Sequence, residues 1–426
     1  MLRGDVQKGF EPIADELEKQ LRKSHGGAAV CIYYQGRPVV DLWGGVRDEA
    51  GTAWERDTMC VCYSTTKGVI STALHVLADR GLVDYDAPVA RYWPEFAQAG
   101  KQAITVRDVL SHRAGMFNIR DLIDDARRML DWEHMVGALA AAAPRPVPDG
   151  ATAYQALTYG FLVGEIIRRV SGRSLQQFLS EELATPLGLD GLYIGTPAAE
   201  LHRAARLIDA VARRPPDERA ALKQSAARKR QLFMFSTLQK LLRAVGHPVD
   251  FDRAASALQP RGISGLDFSS DEVLSACIPA ANGLFTARSL ARLYAVLAAG
   301  GELDGVRLLS ARTVERATQI QSQGYDQVTV FKMHWRLGYH RVGSFRGGPR
   351  HGFGHFGWGG SGAWADPTRN LSMGFLVNTG SGTPIGDMRI LKLNTVVLDC
   401  ARRLHASSGP RPRASKPRFA LRFRRA

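Results

Sequence analysis

The chain has 426 residues and a formal net charge of +15, and it is 45% hydrophobic and 23% charged, a balance typical of a globular protein with a sizeable core. The positive charge is concentrated, because residues 202–243 carry a net charge of +8 and residues 401–426 carry +9, which leaves −2 for the rest. Because the rest of the chain is nearly neutral, the composition argues against a general nucleic-acid-binding protein. Any anionic partner is expected to bind at these two segments.

The first elements predicted along the chain are a helix and a hairpin. Apolar residues recur at helical spacing over about residues 7–22, which predicts an amphipathic helix. Strands are predicted at residues 28–34 and 38–43, because Gln35-Gly36 between them is typical of a hairpin turn.

The sequence has no feature of an exported or membrane-spanning protein. No apolar stretch follows Met1–Asp5, so we expect no signal peptide, and no apolar run reaches the length of a membrane span. Five cysteines, an odd number without an export signal, predict reduced thiols and a cytoplasmic location. Cys60 and Cys62 have no second pair at zinc spacing, so no metal site is predicted.

Residues 60–70 contain a Ser-x-x-Lys pair, Ser64 and Lys67, at the start of a predicted helix that ends near Gly81. Residues three apart lie on one helix face, so we expect the Lys67 amine beside the Ser64 hydroxyl. A serine hydroxyl needs a base to become a nucleophile, and a desolvated lysine with a lowered pKa can be that base. The unpaired N–H groups at the helix start can stabilise an oxyanion. Because so short a motif also occurs by chance on solvated helices, its context has to support it.

Downstream of this helix the pattern is mostly helical and then returns to strands. Helices are predicted at residues 106–111, 157–170 and 284–300, and residues 201–265 are interpreted as a basic insertion. The later elements are predicted strands at residues 328–335, 352–358, 362–366 and 371–378, and a closing helix at residues 387–404. Residues 407–426 are rich in proline and arginine, which predicts a disordered tail.

Strands at both ends of the chain with helices between them predict an α+β fold. We expect one domain over residues 1–406, in which the C-terminal strands complete the N-terminal sheet. The sheet lobe is predicted at about residues 1–63 and 284–406, and a mostly helical lobe at about residues 64–283, including the insertion 201–265. A lobe boundary is a usual place for a pocket, so an active site is expected there.

Tyr154 and Tyr159 lie near the start of the helix predicted at residues 157–170, and each is a candidate for a second group that handles protons. A nearby Lys67 cation is expected to lower a tyrosine pKa from its usual value of about 10, so that the phenol shares a proton with Ser64. The sequence leaves the two tyrosines as alternatives, and it leaves open that either is a packing residue.

A glycine-rich segment over residues 352–362 contains His355 and Gly357. Its glycine spacing fits a dinucleotide-binding fingerprint, but predicted strands surround it in place of a strand-turn-helix unit, so that interpretation is rejected. The glycines are expected to let a strand backbone approach a ligand closely. His355 is interpreted either as a structural residue or as part of a site.

These motifs, taken in order, resemble those of the serine β-lactamase and penicillin-binding-protein superfamily, and in particular its esterase-like branch, the family VIII carboxylesterases. Ser64-Thr65-Thr66-Lys67 looks like the family's Ser-x-x-Lys, and Tyr154 falls where the family has its catalytic tyrosine. His355-Phe356-Gly357 stands where other members have Lys-Thr-Gly. The resemblance covers roughly residues 10–405, without residues 201–265.

The resemblance implies a β-lactamase/transpeptidase-like fold, an antiparallel sheet flanked by helices with an inserted, mostly helical lobe. It implies an acyl-enzyme on Ser64, with Lys67 and Tyr154 handling the proton and Tyr154 as the base in deacylation. The backbone N–H groups of Ser64 and Trp358 are expected to hold the oxyanion, and His355-Phe356-Gly357 to lie at the substrate. No metal or organic cofactor is needed.

Two departures from the family pattern bear on the substrate. The family's Tyr-x-Asn is Tyr154-Gln155-Ala156 here, which removes an amide donor, and His355 replaces a fixed cation. Both changes predict small neutral esters as substrates in place of β-lactams. The alternatives are a β-lactamase or D-Ala-D-Ala carboxypeptidase, whose substrate lies outside the cytoplasm, and a catalytically retired binding or scaffold protein. Retention of Ser64, Lys67 and Tyr154 together argues against the last.

The insertion contains a segment, residues 228–245, with an apolar helical face and basic flanks. Its apolar face is predicted to comprise Met234, Leu238, Leu241, Leu242 and Val245. Such a pattern is typical of a helix that lies on an anionic membrane surface, which predicts peripheral membrane contact. The alternative is a lid helix packed on the helical lobe, because most amphipathic helices face their own core.

Overall fold

A seven-stranded antiparallel sheet joins the two ends of the chain in the computed structural model, which describes residues 2–208, 250–380 and 386–407. Its strands are β1 (Leu2–Val6), β2 (Ala28–Tyr34), β3 (Arg37–Gly44), β9 (His340–Arg341), β10 (Phe353–Phe356), β11 (Gly362–Asp366) and β12 (Leu371–Val377). They lie in the order β1-β3-β2-β12-β11-β10-β9. β2 pairs with β12 from Ala28 opposite Val377 to Tyr34 opposite Leu371, so the C-terminal strands complete the N-terminal hairpin as predicted.

Helices cover both faces of the sheet, because alternate residues of its central strands are apolar on each side. Val30 and Ile32 pack with helices Glu11–Arg22 and Met388–Ser407. Ala29 and Cys31 face the opposite side, where helix Ala287–Ala298 packs. The resulting three layers confirm the α+β class.

A second group of helices surrounds helix Thr65–Asp79, whose residues from Thr65 to Leu77 are all buried. The other helices of the described ranges are Val106–Leu110, Ile119–Leu122, Trp132–Ala141, Thr158–Ser171, Leu175–Leu179, Thr185–Leu187, Phe251–Leu258, Asp271–Ser275 and Ala311–Thr318. Short 3-10 helices span Val89–Arg91, Pro94–Ala97, Ala126–Leu130, Ala198–Arg203 and Ile263–Gly265, and Ser180–Ala184 is a π-helix.

Two small sheets complete the described strands. β4 (Cys60–Val61), β6 (Leu284–Phe285) and β5 (Leu192–Tyr193) form a three-stranded sheet in the order β4-β6-β5. β7 (Glu302–Leu303) and β8 (Val306–Arg307) form a hairpin. The first of these sheets matters for the site, because β4 leads directly into the Ser64 turn.

The prediction of a strand at residues 328–335 is wrong. The buried carboxylate of Asp326 accepts hydrogen bonds from the backbone N–H groups of Val328 and Thr329, both at 2.9 Å. Donors held by a local side chain are not free for a strand ladder, and Val330 and His334 have positive φ angles of 60° and 50°. This segment is therefore a turn-rich loop around a buried acid.

The predicted helix at residues 7–22 begins at Glu11, and the strand β1 before it was not predicted. β1 is an edge strand whose three middle residues, Arg3 to Asp5, are exposed, so it lacks the alternating apolar pattern that identifies a strand. The division into a sheet lobe and a helical lobe, with its boundaries, stays a prediction.

Parts of the insertion pack against the rest of the chain. Backbone bonds join Met59 N–H to Arg203 O and Ile208 N–H to Asn378 O, and residues 250–265 return to the helical region. The amphipathic segment 228–245 and the tail from residue 408 onward lie outside the described residues. Within the described ranges, no helix combines the length and apolar character needed to cross a membrane.

Candidate active site

Ser64, Lys67 and Tyr154 meet at one point. The Lys67 Nζ atom lies 2.9 Å from Ser64 Oγ, and the Tyr154 Oη atom lies 2.7 Å from the same Ser64 oxygen. Lys67 and Tyr154 are buried, with 0% and 1% of their surfaces exposed. One hydroxyl thus contacts both an amine and a phenol in a desolvated environment.

The turn between β4 and helix Thr65–Asp79 places Ser64 at the helix start. Tyr63 before it has a φ angle of +43°, an unusual conformation for a residue with a side chain, and Ser64 is the N-cap residue. Lys67 follows one turn later on the same face, as the spacing predicts. The sharp turn directs the Ser64 side chain out of an otherwise buried segment.

Burial lowers the pKa of Lys67 well below its usual value, because the charged ammonium loses its hydration. A second contact of Lys67 Nζ, 3.0 Å to the carbonyl oxygen of Ala280, takes one of its N–H donors. A neutral amine in this position donates to Ala280 and offers its lone pair to the Ser64 hydroxyl.

Tyr154 and Tyr159 were alternatives, and the structure places only Tyr154 against Ser64. The Tyr159 hydroxyl lies 2.7 Å from Ser71 Oγ, one helical turn beyond Lys67. The prediction that the pKa of Tyr154 is lowered is wrong. Burial raises that pKa, and the hydrogen bond to Ser64 lowers it only in part. Tyr154 is therefore a protonated donor toward Ser64 Oγ.

His355 lies behind Tyr154, with the two ring centres 6.3 Å apart. Its Nδ1 lies 3.1 Å from the carbonyl oxygen of Phe356, and because a carbonyl only accepts, the proton sits on Nδ1. The other nitrogen, Nε2, is buried without a partner in the described part of the chain. Burial lowers the pKa of His355 well below its usual value, so the residue is neutral and supplies no fixed cation.

Gly357 joins the two backbone segments expected to form the oxyanion hole. A Cβ atom at Gly357 would lie 2.2 Å from the carbonyl oxygen of Cys62, so only glycine permits this approach. Glycine at this position therefore allows a close approach to a neighbouring backbone, and the expected approach of the glycine-rich strand to a ligand stays a prediction. Neither Ser64 N–H nor Trp358 N–H donates a hydrogen bond within the described residues, and both residues border the same cleft.

Arg389 fixes the turn that carries Trp358. Its guanidinium donates to the carbonyl oxygens of Gly359, at 2.5 Å, and Thr379, at 2.6 Å, and it pairs with Asp387. Sequence reasoning did not single out Arg389, because these contacts join residues that lie in separate elements. The turn therefore has a rigid support behind the exposed Trp358 ring.

A cleft of about 520 Å³ opens beside Ser64. Its described lining contains no charged side chain and consists mainly of apolar residues, namely Tyr63, Ala156, Leu157, Leu258, Ile263, Leu266, Phe268, Ala281 and Trp358. Sequence reasoning missed the wall formed by residues 258–268, because that wall is contributed by the end of the insertion and the residues after it. The described residues hold no group of three or more His, Cys, Asp or Glu side chains suited to a metal ion.

Comparisons with known proteins identify the family of this chain. The family model Beta-lactamase matches residues 14–394. The Esterase/beta-lactamase LipL of Mycobacterium tuberculosis is 39% identical over 356 residues, which cover 83% of this chain and 77% of that protein. Two solved structures each superpose with a TM-score of 0.79 at 33% identity, covering 94% of this chain and all of the other: a penicillin-binding protein homologue from Caulobacter crescentus and a family VIII carboxylesterase.

The fold and these relatives define the protein as a serine hydrolase. The chain belongs to the beta-lactamase family.

Proposed function

We propose that the protein hydrolyses neutral carboxylic esters through an acyl-enzyme on Ser64. The observation that carries the proposal is the double contact of Ser64 Oγ, 2.9 Å from the Lys67 amine and 2.7 Å from the Tyr154 hydroxyl. The names of two similar proteins, an esterase/β-lactamase and a family VIII carboxylesterase, support the same reaction class.

In the acylation step, Ser64 Oγ forms a bond to the ester carbonyl carbon while its proton passes to the neutral Lys67 amine. The backbone N–H groups of Ser64 and Trp358 donate to the developing oxyanion. Collapse of this intermediate breaks the bond to the alcohol oxygen, which receives the proton from the Lys67 ammonium. Tyr154 donates to Ser64 Oγ in the ground state and helps to transfer that proton to the leaving group.

In the deacylation step, water adds to the acyl carbonyl and gives its proton to Lys67. The bond to Ser64 Oγ then breaks, Ser64 takes its proton from the Lys67 ammonium, and the carboxylic acid leaves. This assignment replaces the expectation that Tyr154 is the base in deacylation. A buried phenol whose pKa is raised is costly to ionise, whereas burial lowers the pKa of Lys67 well below its usual value and so favours the neutral amine that a base requires.

The cleft supports a neutral ester over a β-lactam. A β-lactam antibiotic brings a carboxylate, and an ion transferred to an uncharged apolar site without a partner loses its hydration at a cost of several kcal/mol. Ala156 offers a methyl group where an amide would hold a β-lactam side chain, and His355 is neutral.

We therefore expect kcat/KM for p-nitrophenyl butyrate to exceed that for the β-lactam nitrocefin by at least about 100-fold. An Ala156→Asn variant should reduce this ratio, because it restores an amide donor at the cleft. Faster hydrolysis of nitrocefin than of the ester by the wild-type enzyme would contradict the substrate assignment and support the β-lactamase alternative.

A peripheral membrane contact through residues 228–245, and with it a location at the cytoplasmic face of the membrane, is a further part of the proposal. The sequence pattern of that segment supports it, and the chain just after it, from Leu258 to Phe268, lines the substrate cleft. A helix docked on lipid would bring ester substrates close to Ser64.

Co-sedimentation with liposomes tests this contact. We expect the protein to bind anionic vesicles, to bind neutral vesicles much less, and to lose anionic binding at high salt because surface charge is screened. Deletion of residues 228–243 should abolish the binding while ester hydrolysis in solution continues. Binding that is absent, or unaffected by the deletion, would leave only the lid interpretation.

A further inference from the structure

Tyr154 occupies a stretch of chain without regular secondary structure. Helix Thr158–Ser171 begins four residues later, and no strand includes residues 153–155. Side chains and isolated contacts hold its backbone instead. Ala153 N–H donates to the carbonyl oxygen of His112 at 2.8 Å, and Gln155 N–H donates to His112 Nδ1 at 3.2 Å.

The remaining N–H group of this stretch, that of Tyr154, donates to Asp326 Oδ1 at 3.3 Å. Asp326 is 0% exposed, and the same Oδ1 accepts the N–H groups of Val328 and Thr329 at 2.9 Å. The carboxylate thus links the turn-rich loop after residue 325 to the backbone of Tyr154.

The second carboxylate oxygen of Asp326 binds Trp335, which in turn stacks on the ring of Tyr154. Asp326 Oδ2 accepts the indole N–H of Trp335 at 3.0 Å, and Trp335 stacks on Tyr154 with ring centres 5.3 Å apart and planes 12° apart. Trp335 is itself buried, with 1% of its surface exposed, and His112 packs against it at 4.1 Å. One carboxylate therefore restrains both the main chain and the aromatic plane of the residue that contacts Ser64.

We propose that Asp326, acting through Trp335, is a positioning residue that fixes Tyr154 against Ser64. This inference rests on the proposed function, because it assigns a purpose to the placement of Tyr154. His112 also contributes, because its ring centre lies 5.0 Å from that of Tyr154 and it accepts the N–H groups on either side of Tyr154. The N–H of Tyr154 itself, however, and the Trp335 ring stacked on the phenol are both held by Asp326. A displacement of about 1 Å of a catalytic group can lower turnover by about 100-fold.

The test is the Asp326→Asn variant. The amide oxygen of asparagine can replace Oδ1 toward the three backbone donors, but its NH2 group then faces the Trp335 N–H, so two donors oppose each other. We expect kcat for p-nitrophenyl butyrate to fall by about 10- to 100-fold, with KM changed by less than about threefold. Turnover is to be expressed per site labelled to completion by a fluorophosphonate, so that unfolded protein does not contribute.

A double variant separates positioning from mere stability. Trp335→Phe keeps a ring beside Tyr154 and removes the opposing donor, so Asp326→Asn/Trp335→Phe should recover most of the turnover lost in Asp326→Asn. Asp366→Asn is the control for loss of a buried carboxylate away from Tyr154, because Asp366 is equally buried, accepts the backbone N–H of Thr368 at 3.1 Å in the turn after β11 and pairs with Arg369. Its turnover per labelled site should stay within about twofold of wild type.

If Asp326→Asn does not fold, Trp335→Ala tests the same restraint and should give the same loss of kcat.

Wild-type turnover per labelled site in Asp326→Asn or Trp335→Ala, or a double variant no more active than Asp326→Asn, would overturn the inference. Failure of the proposed function itself gives a different result, since the wild-type protein would then neither hydrolyse the ester nor react with the fluorophosphonate.

Discussion

The Ser64→Ala variant is expected to lower turnover of p-nitrophenyl butyrate by at least about 10,000-fold while the protein stays folded. The Ser64 hydroxyl is the atom on which the Lys67 and Tyr154 contacts converge, so its removal eliminates the nucleophile and leaves only binding and the oxyanion donors. Steady-state kinetics measures the loss, and circular dichroism with thermal unfolding checks the fold.

Intact-mass spectrometry after treatment with a fluorophosphonate gives an independent measurement. The wild-type protein should gain one adduct, which peptide mapping should place on Ser64, and the Ser64→Ala variant should gain none. Ser264→Ala is the matched control, because Ser264 lines the same cleft but forms no hydrogen bond with the Lys67 amine or the Tyr154 hydroxyl among the described residues. Residual activity of Ser64→Ala within about tenfold of wild type would exclude Ser64 as the nucleophile.

The parts of the site that depend on local periodicity could be predicted from the sequence. Ser64 and Lys67 are three residues apart on one helix, so their contact follows from helix geometry alone. The closure of the sheet was also predictable, because β12 is an apolar run of strand length and its partner β2 lies in a recognisable hairpin.

The parts that depend on distant residues could not be predicted. Tyr154 and Tyr159 have the same local pattern, and only tertiary packing directs one to Ser64 and the other to Ser71. Asp326 contacts the Tyr154 backbone across 172 residues of sequence, and the same carboxylate explains why the strand predicted at residues 328–335 does not form. A single buried acid therefore accounts for a missed contact and for a wrong element.

The error in the Tyr154 pKa has a related physical cause. The sequence shows that a lysine and a tyrosine can be neighbours, and an exposed ammonium would indeed stabilise a phenolate. Burial of both groups reverses the outcome, since it disfavours the charged form of each: the pKa of Lys67 falls and that of Tyr154 rises. The depth of burial is a property of the whole fold and is not encoded in the motif.

These opposite shifts predict which residue controls the pH dependence. If neutral Lys67 is the base, kcat/KM should rise with pH as the ammonium loses its proton and should reach its plateau well below the ordinary lysine pKa of about 10.4. Lys67→Met should lower kcat by about 1,000- to 10,000-fold and remove this acid limb, because methionine fills the buried space without a titratable group.

Tyr154→Phe is the matched comparison for Lys67→Met, since it keeps the ring stacked on Trp335 and removes only the hydroxyl. We expect it to lose about 100-fold in kcat, the effect of a missing donor, and to retain the acid limb that belongs to Lys67. If a tyrosinate were the base, the order would be reversed. Tyr154→Phe would then lower kcat more than Lys67→Met does, and its residual kcat/KM would not change with pH. Lys67→Met would keep the pH dependence of the wild-type enzyme. Measuring kcat/KM from pH 5 to 10 for the three proteins therefore decides between an amine and a phenolate at Ser64, and the burial of both groups favours the amine.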